Sequence, residues 1–155
     1  MIIKNNNIKI EFLNCKKTDF GNRFIKNLYD KFNAEREILL TKLQIEKCRK
    51  INILLFDNRN IFIDKIEKYY PSKNDIPFYC KGTIHDGIIY FLVNNNLESN
   101  SYEYEIEMRK IIHEFIHILY NEYIVENHER ITWLDEGIAI NFSKEKRKIQ
   151  IRKIC

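Results

Sequence analysis

Two histidines and a glutamate at a fixed spacing carry the clearest chemistry in the sequence. His113-Glu-Phe-Ile-His117 has the pattern H-E-x-x-H and lies in a stretch of helical periodicity. Residues four apart lie one turn apart on the same helix face, so both imidazoles can bind one metal ion. Glu114 is adjacent, and its carboxylate can reach a water on the metal, whose pKa the metal lowers to about 7. The pattern predicts a metal site with Glu114 as general base.

A third protein ligand is needed, because a catalytic zinc ion is held by three side chains and keeps a fourth position for water. Glu136 is the candidate, since eighteen residues separate it from His117, enough for a loop and a returning helix. Asp135 and Asn141 flank it closely enough to orient a histidine ligand through its second ring nitrogen. The nearby Trp133 is expected in the core.

The two motifs together resemble those of the gluzincin metallopeptidases. H-E-x-x-H, eighteen residues, and then Glu within Trp133-Leu-Asp-Glu-Gly-Ile-Ala139 is similar to the W-L-N-E-G-x-A pattern of the aminopeptidase N and leukotriene-hydrolase type. The resemblance implies a zincin-like fold with one zinc ion bound by His113, His117 and Glu136. It also implies Glu114 as the general base in hydrolysis of a peptide or protein substrate. It covers about two-fifths of the chain.

The resemblance also gives a role to the segment before the metal helix. In zincins a strand at the edge of the sheet runs antiparallel to the bound substrate, and Ile88-Ile-Tyr-Phe-Leu-Val93 occupies that position here. Ile88, Ile89, Tyr90 and Phe91 would then bind the substrate backbone, with the cleft between this strand and the helix over 101–123. An ordinary core hairpin explains the same residues equally well.

Two departures from the family pattern bear on the activity. The G-x-M-E-N segment with which the aminopeptidases grip a free amine is absent, which favours an endopeptidase. Neither Tyr nor His follows Glu136, so an oxyanion donor must come from elsewhere in the chain. The alternatives carry a hydroxyl, imidazole or guanidinium group: Tyr90, His85, Tyr120, Tyr123, His128, Arg147 and Arg152.

The missing donor and the short chain leave a second function open, a zinc-binding regulatory or interaction domain with little or no catalysis. In larger gluzincins a helical subdomain closes the cleft. Here it is either absent or supplied by a partner domain or subunit.

Hydrophobic periodicity indicates the elements that must position these residues. Strands are predicted over 8–13, 51–56, 78–84 and 88–93, the last two joined through Asp86-Gly87, a pair that accepts positive φ. A first helix is predicted to follow a cap at Asp19, and further helices are predicted over 34–49, 60–70, 101–123 and 132–142. Two arrangements stay open for the first two: one continuous helix, or two helices separated at Asn33. This order indicates an α+β fold, a small mixed sheet with an edge hairpin packed on the active-site helix.

Composition bounds the remaining possibilities. With 155 residues, 45% of them hydrophobic, the chain is expected to form one domain over 1–155 that buries its own core. A net charge of +4 is too small to favour a nucleic-acid partner. The four cysteines are widely spaced, which indicates free thiols in a reducing compartment. Neither a signal peptide nor a membrane span is evident, so a cytoplasmic location is expected.

Overall fold

A five-stranded mixed sheet with helices on both faces forms the frame of the molecule. The computed structural model describes residues 1–98, 101–125 and 131–144. The strands are β1 (Ile2–Lys4), β2 (Ile8–Leu13), β3 (Ile51–Phe56), β4 (Gly82–His85) and β5 (Ile88–Leu92). The helices are α1 (Thr18–Lys42), α2 (Arg59–Ile66), α3 (Tyr102–Leu119) and α4 (Thr132–Ser143). The predicted α+β class with a small mixed sheet is confirmed.

Short helical turns join these elements at three places. Two 3₁₀ turns, Glu67–Tyr69 and Lys73–Asp75, follow α2, and a π-helical turn, Tyr120–Ile124, continues α3. Within the described residues, no helix is both long and apolar enough to cross a membrane.

The strand order is β1-β2-β3-β5-β4, with β2, β3 and β5 parallel and an antiparallel strand at each edge. Tyr90 pairs with Leu54 of β3 on one side and with Thr83 of β4 on the other. The expectation that 88–93 is the edge strand is therefore wrong. The nearly continuous apolar run of β5 is typical of an interior strand, and the hairpin places β4 outside it.

The two faces of the sheet bury separate hydrophobic clusters. Side chains alternate along a strand, so Ile89 and Phe91 pack toward α1 and α3, whereas Tyr90 packs toward α2. The larger cluster lies under α1 and α3, and its α3 members include Ile111, Ile112, Phe115, Ile116 and Leu119. The sheet and this cluster hold α3 in place beside the hairpin.

Several predicted boundaries differ from the structure. α1 is one continuous helix through Asn33 and ends at Lys42, seven residues before the predicted end. It begins at Thr18, so Asp19 lies in the first turn and is not its cap. The predicted Asp-Gly turn is confirmed, with φ of 51° at Asp86 and 65° at Gly87. β1 was not predicted.

Candidate metal centre

Helix α3 carries both histidines on a largely buried face. The Ser101 hydroxyl accepts a hydrogen bond from the Tyr104 amide at 3.1 Å and so caps the first turn. One turn separates His113 from His117, and these side chains are only 6% and 7% exposed. Glu114 is half-buried beside them. The rigid helix fixes the spacing that the sequence motif predicted.

The two imidazoles and Glu136 converge on one point. The Nε2 atoms of His113 and His117 lie 2.9 Å apart. Glu136 faces both rings, with Oε2 3.7 Å from His113 Nε2 and Oε1 3.5 Å from His117 Nε2. The structure therefore brings together all three residues that the resemblance implies as ligands, and they could hold one metal ion.

These distances fit a tetrahedral zinc site. Ligand bonds of about 2.0–2.1 Å place neighbouring ligand atoms about 3.3 Å apart in a tetrahedron. The separations in the structure, 2.9, 3.5 and 3.7 Å, lie on either side of that value, the last two to different oxygens of Glu136. Two histidine nitrogens and one carboxylate are also a donor set that zinc accepts. The residues present thus fit the ion.

Asp135 orients one of the histidines. Its carboxylate is fully buried and accepts a hydrogen bond from His117 Nδ1 at 2.6 Å. Because a carboxylate only accepts hydrogen bonds, Nδ1 of His117 carries the proton. In a neutral ring Nε2 then has a free lone pair, on the side that faces Glu136 and His113. This is the orienting contact expected next to a metal ligand. Of the two predicted orienting residues, Asp135 occupies that position.

Helix α4 presents Asp135 and Glu136 to different surroundings. Asp135, Ala139 and Ser143 are buried at successive turns on the face of α4 that packs against α3. Glu136 is one residue further round and its side chain is 41% exposed, toward the cleft. Asn141 is exposed, five residues from Glu136 and on a different face. Trp133 is 75% exposed, so its predicted place in the core is wrong.

The site opens into a cleft of about 870 Å³ between β4 and α3. The predicted cleft against 88–93 is thus shifted outward by one strand, although Phe91 still contributes to its wall. A β-carbon at Gly82 of β4 would lie 3.1 Å from Glu114 Oε1. The nearest contact would be the Phe91 ring, at 2.9 Å, so both side chains would have to shift for a residue larger than glycine.

A thiol also lines the cleft at Cys80. Burial raises the pKa of this thiol, and the nearby Glu114 carboxylate raises it further, although Arg59 acts in the opposite direction. The thiol is therefore protonated at neutral pH, a form that binds metals poorly. Cys15, Cys48 and Cys80, the described cysteines, are free thiols, as predicted.

The structure separates most of the predicted oxyanion donors from the site. Tyr90 points to the opposite face of the sheet, where its hydroxyl lies 3.2 Å from that of Tyr69, and burial raises its pKa to about 12. Tyr90 is therefore excluded as an oxyanion donor. Adjacent residues of a strand point to opposite faces, and it is the neighbouring Phe91 that lines the cleft. Tyr120 is buried in the π-helical turn and is not among the described residues that line the cleft.

The other predicted donors are also engaged elsewhere or not described. The Tyr123 hydroxyl accepts a hydrogen bond from the Arg49 amide, and His85 stacks on the ring of Tyr69. His128, Arg147 and Arg152 lie outside the described residues.

Two cleft residues were missed by the sequence reasoning. Lys110 lies one turn before Glu114 on α3, and Lys81 directly precedes β4. The helical spacing of Lys110 relative to Glu114 was a usable signal. Lys81 had none, because its place depends on which strand forms the edge of the sheet.

Chemically, the arrangement joins three residues that could bind a metal, a carboxylate that orients one of them and a further carboxylate, Glu114, beside one open cleft. Such a set can hold a metal ion and accept a proton from a water beside it. Its partly exposed member, Glu136, leaves the site accessible from the cleft.

No family model, curated protein or solved structure matches this chain.

Proposed function

We propose that the chain is a zinc-dependent metallopeptidase of the gluzincin type, acting as an endopeptidase. The observation that carries the proposal is the convergence of His113, His117 and Glu136 within 3.7 Å of one another, in the cleft that also contains Glu114. The edge strand β4 borders the same cleft, and no other described strand pairs with its outer edge, on which an extended peptide can add.

A zinc ion, when bound, supplies an acidified water as nucleophile at neutral pH. Asp135 holds the His117 ring in the tautomer that leaves Nε2 as a ligand. Glu114, against Gly82, accepts the proton of the attacking water and returns it to the leaving amine of the peptide. A peptide added to β4 would pass beside Glu114, because Gly82, the strand's first residue, lies against that side chain.

The test is metal content followed by proteolysis. We expect one zinc ion per chain in the purified protein and cleavage of a random peptide library at neutral pH, both abolished by a chelator and restored by zinc. Protein without zinc at one equivalent would overturn the proposal. Zinc without any cleavage would favour the second candidate.

The second candidate is a zinc-binding regulatory or interaction domain with little or no catalysis. It is favoured by the position of Tyr90 on the other face of the sheet and by the burial of Tyr120. A donor at the oxyanion contributes about 3 kcal/mol in enzymes that have one, so its absence would slow hydrolysis. The completion of the cleft by a partner domain or subunit, and a cytoplasmic location, stay predictions.

Replacing Asp135 with Asn is expected to weaken zinc binding about 10- to 100-fold, because the neutral amide is a poorer acceptor for His117 Nδ1. Affinity would be measured by competition with a chromophoric chelator. Asn141→Ala on the same helix is the control, since Asn141 is exposed and on another face. If both variants bind zinc as tightly as the parent chain, Asp135 does not orient the ligand.

A further inference from the structure

The charges of the cleft differ between its two ends. At the end where α3 finishes, Arg49 binds both carboxylate oxygens of Glu122, at 2.6 and 2.7 Å, so the pair is neutral. At the other end Lys81 and Lys110 line the cleft. Both lysines approach the same oxygen, Oε1 of Glu107, so two ammonium groups share one carboxylate oxygen.

The contact with Glu107 leaves the two ammonium groups available. Each Nζ lies 3.4 Å from Oε1, longer than the 2.7–2.9 Å of a close charge-assisted hydrogen bond. An ammonium group has three N–H donors, and one distant acceptor does not occupy them. The lysine side chains are 45% and 35% exposed, so a ligand in the cleft can reach them.

Glu107 itself is held in place. Its side chain is 5% exposed, and among the described residues no hydrogen-bond partner reaches its buried Oε2. The carboxylate is therefore covered from the cleft, and its Oε1 is a counter-charge shared by Lys81 and Lys110. The carboxylate of a bound ligand would give the two ammonium groups a closer partner than Glu107 provides.

The direction of the hairpin relates this end of the cleft to a bound peptide. β4 begins beside Glu114 at Gly82, and at the turn the Gly87 carbonyl accepts a hydrogen bond from Arg49, which holds Glu122. The hairpin therefore follows α3 from Glu114 to Glu122. A peptide added antiparallel to β4 would run the other way, with its C-terminal part at Lys81.

We propose that Lys81 and Lys110 form a carboxylate-binding subsite, so that the preferred substrates carry a carboxylate on the C-terminal side of the scissile bond. This inference rests on the proposed peptidase function and adds its substrate class. The carboxylate belongs either to an Asp or Glu side chain or to the C-terminus of a short peptide. Both have the same chemistry for a pair of ammonium groups, and the experiment separates them.

The experiment scans a peptide that the zinc-loaded full chain cleaves. Glu or Gln is placed at each position around the scissile bond, and every peptide is made with a free and an amidated C-terminus. We expect kcat/KM to be about tenfold higher with Glu than with Gln at one position after the bond, a preference that high salt reduces. If the terminal carboxylate is bound instead, the free acid is preferred over the amide only in short peptides.

Variants assign the preference to the two lysines. The double variant Lys81→Met, Lys110→Met should cleave the carboxylate and neutral peptides with equal kcat/KM. Arginine at both positions should retain the preference. The matched control is Lys73→Met, which removes a lysine paired with Asp64 and Glu67 away from the cleft. A parent chain indifferent to the carboxylate, or a preference that survives the double methionine variant, would overturn the subsite.

The result stays informative if no peptide is cleaved. The zinc-loaded Glu114→Gln variant would then be titrated with fluorescein-labelled peptides that differ only in Glu or Gln, free acid or amide, and followed by anisotropy. Tighter binding of the carboxylate peptides that disappears on replacing both lysines supports the subsite, although the peptidase proposal has failed. Equal binding of all the peptides refutes it.

Discussion

Replacing Glu114 with Gln is expected to lower kcat for peptide cleavage by about 10²- to 10⁴-fold while one zinc ion stays bound. The amide has nearly the same shape as the carboxylate but cannot accept a proton from water. The three residues that could hold the metal are unaltered, so metal content should not change. The measurement pairs hydrolysis of a library-derived peptide with elemental analysis of the same sample.

Glu103→Gln is the matched control for this change. Glu103 lies in the first turn of the same helix and is exposed, so its replacement tests the loss of one charge on α3 without touching the cleft. We expect the control to retain both zinc and activity. A Glu114→Gln protein that cleaves at the parent rate would refute the assignment of the general base, and one that loses zinc would make Glu114 a ligand.

The second large effect concerns the metal itself. Zinc that binds only the folded chain stabilises it by about 4 kcal/mol when present at a thousand times its Kd. For a domain of this size that raises Tm by about 10 °C. Replacing His117 with Ala should abolish this zinc-dependent rise, because the change removes a proposed ligand together with the hydrogen bond to Asp135. Differential scanning calorimetry with zinc and with chelator measures the rise in each variant.

Comparing the rise in Tm within each variant separates loss of the ligand from loss of stability. His113→Ala should behave as His117→Ala does, although it keeps the contact between His117 and Asp135. His85→Ala is the control, since His85 stacks on Tyr69 away from the three convergent residues, and it should keep the full zinc effect. An undiminished rise in the His117→Ala protein would refute the site. A normal zinc effect in the parent chain without cleavage would select the regulatory domain over the peptidase.

Local patterns predicted much of the fold. The alternation over Ile8–Leu13 and the apolar run Ile51–Phe56 form strands with the predicted bounds, because these patterns report burial on one or both faces. Asn33 did not end α1, since the apolar face of the helix continues past it and packs on the core. The order of the strands could not be predicted from the sequence, because periodicity shows which face of a strand is buried but not which strands are its neighbours in the sheet.

The site was predictable where its geometry is contained in one helix. The spacing of His113 and His117 on α3 fixes their convergence, and Glu136 followed from a second motif. The prediction of Tyr90 as an oxyanion donor is wrong because side chains along a strand alternate between the two faces of the sheet. Which face lies toward the three convergent residues could not be assigned before the sheet order was known. The sequence favoured Asp135 and Asn141 equally as residues that orient a histidine, and only the packing of α4 on α3 distinguished them.

The placement of His117 on α3 and Glu136 on α4 has a mechanical consequence. These helices pack through side chains, and eighteen residues of chain separate the two proposed ligands. A metal ion held by both would therefore close a loop of about that length, as a disulfide does. By the loop-entropy relation for cross-links, such a closure is worth about 3 kcal/mol, drawn from the freedom of the unfolded chain. The ion would thus act as a reversible staple between α3 and α4.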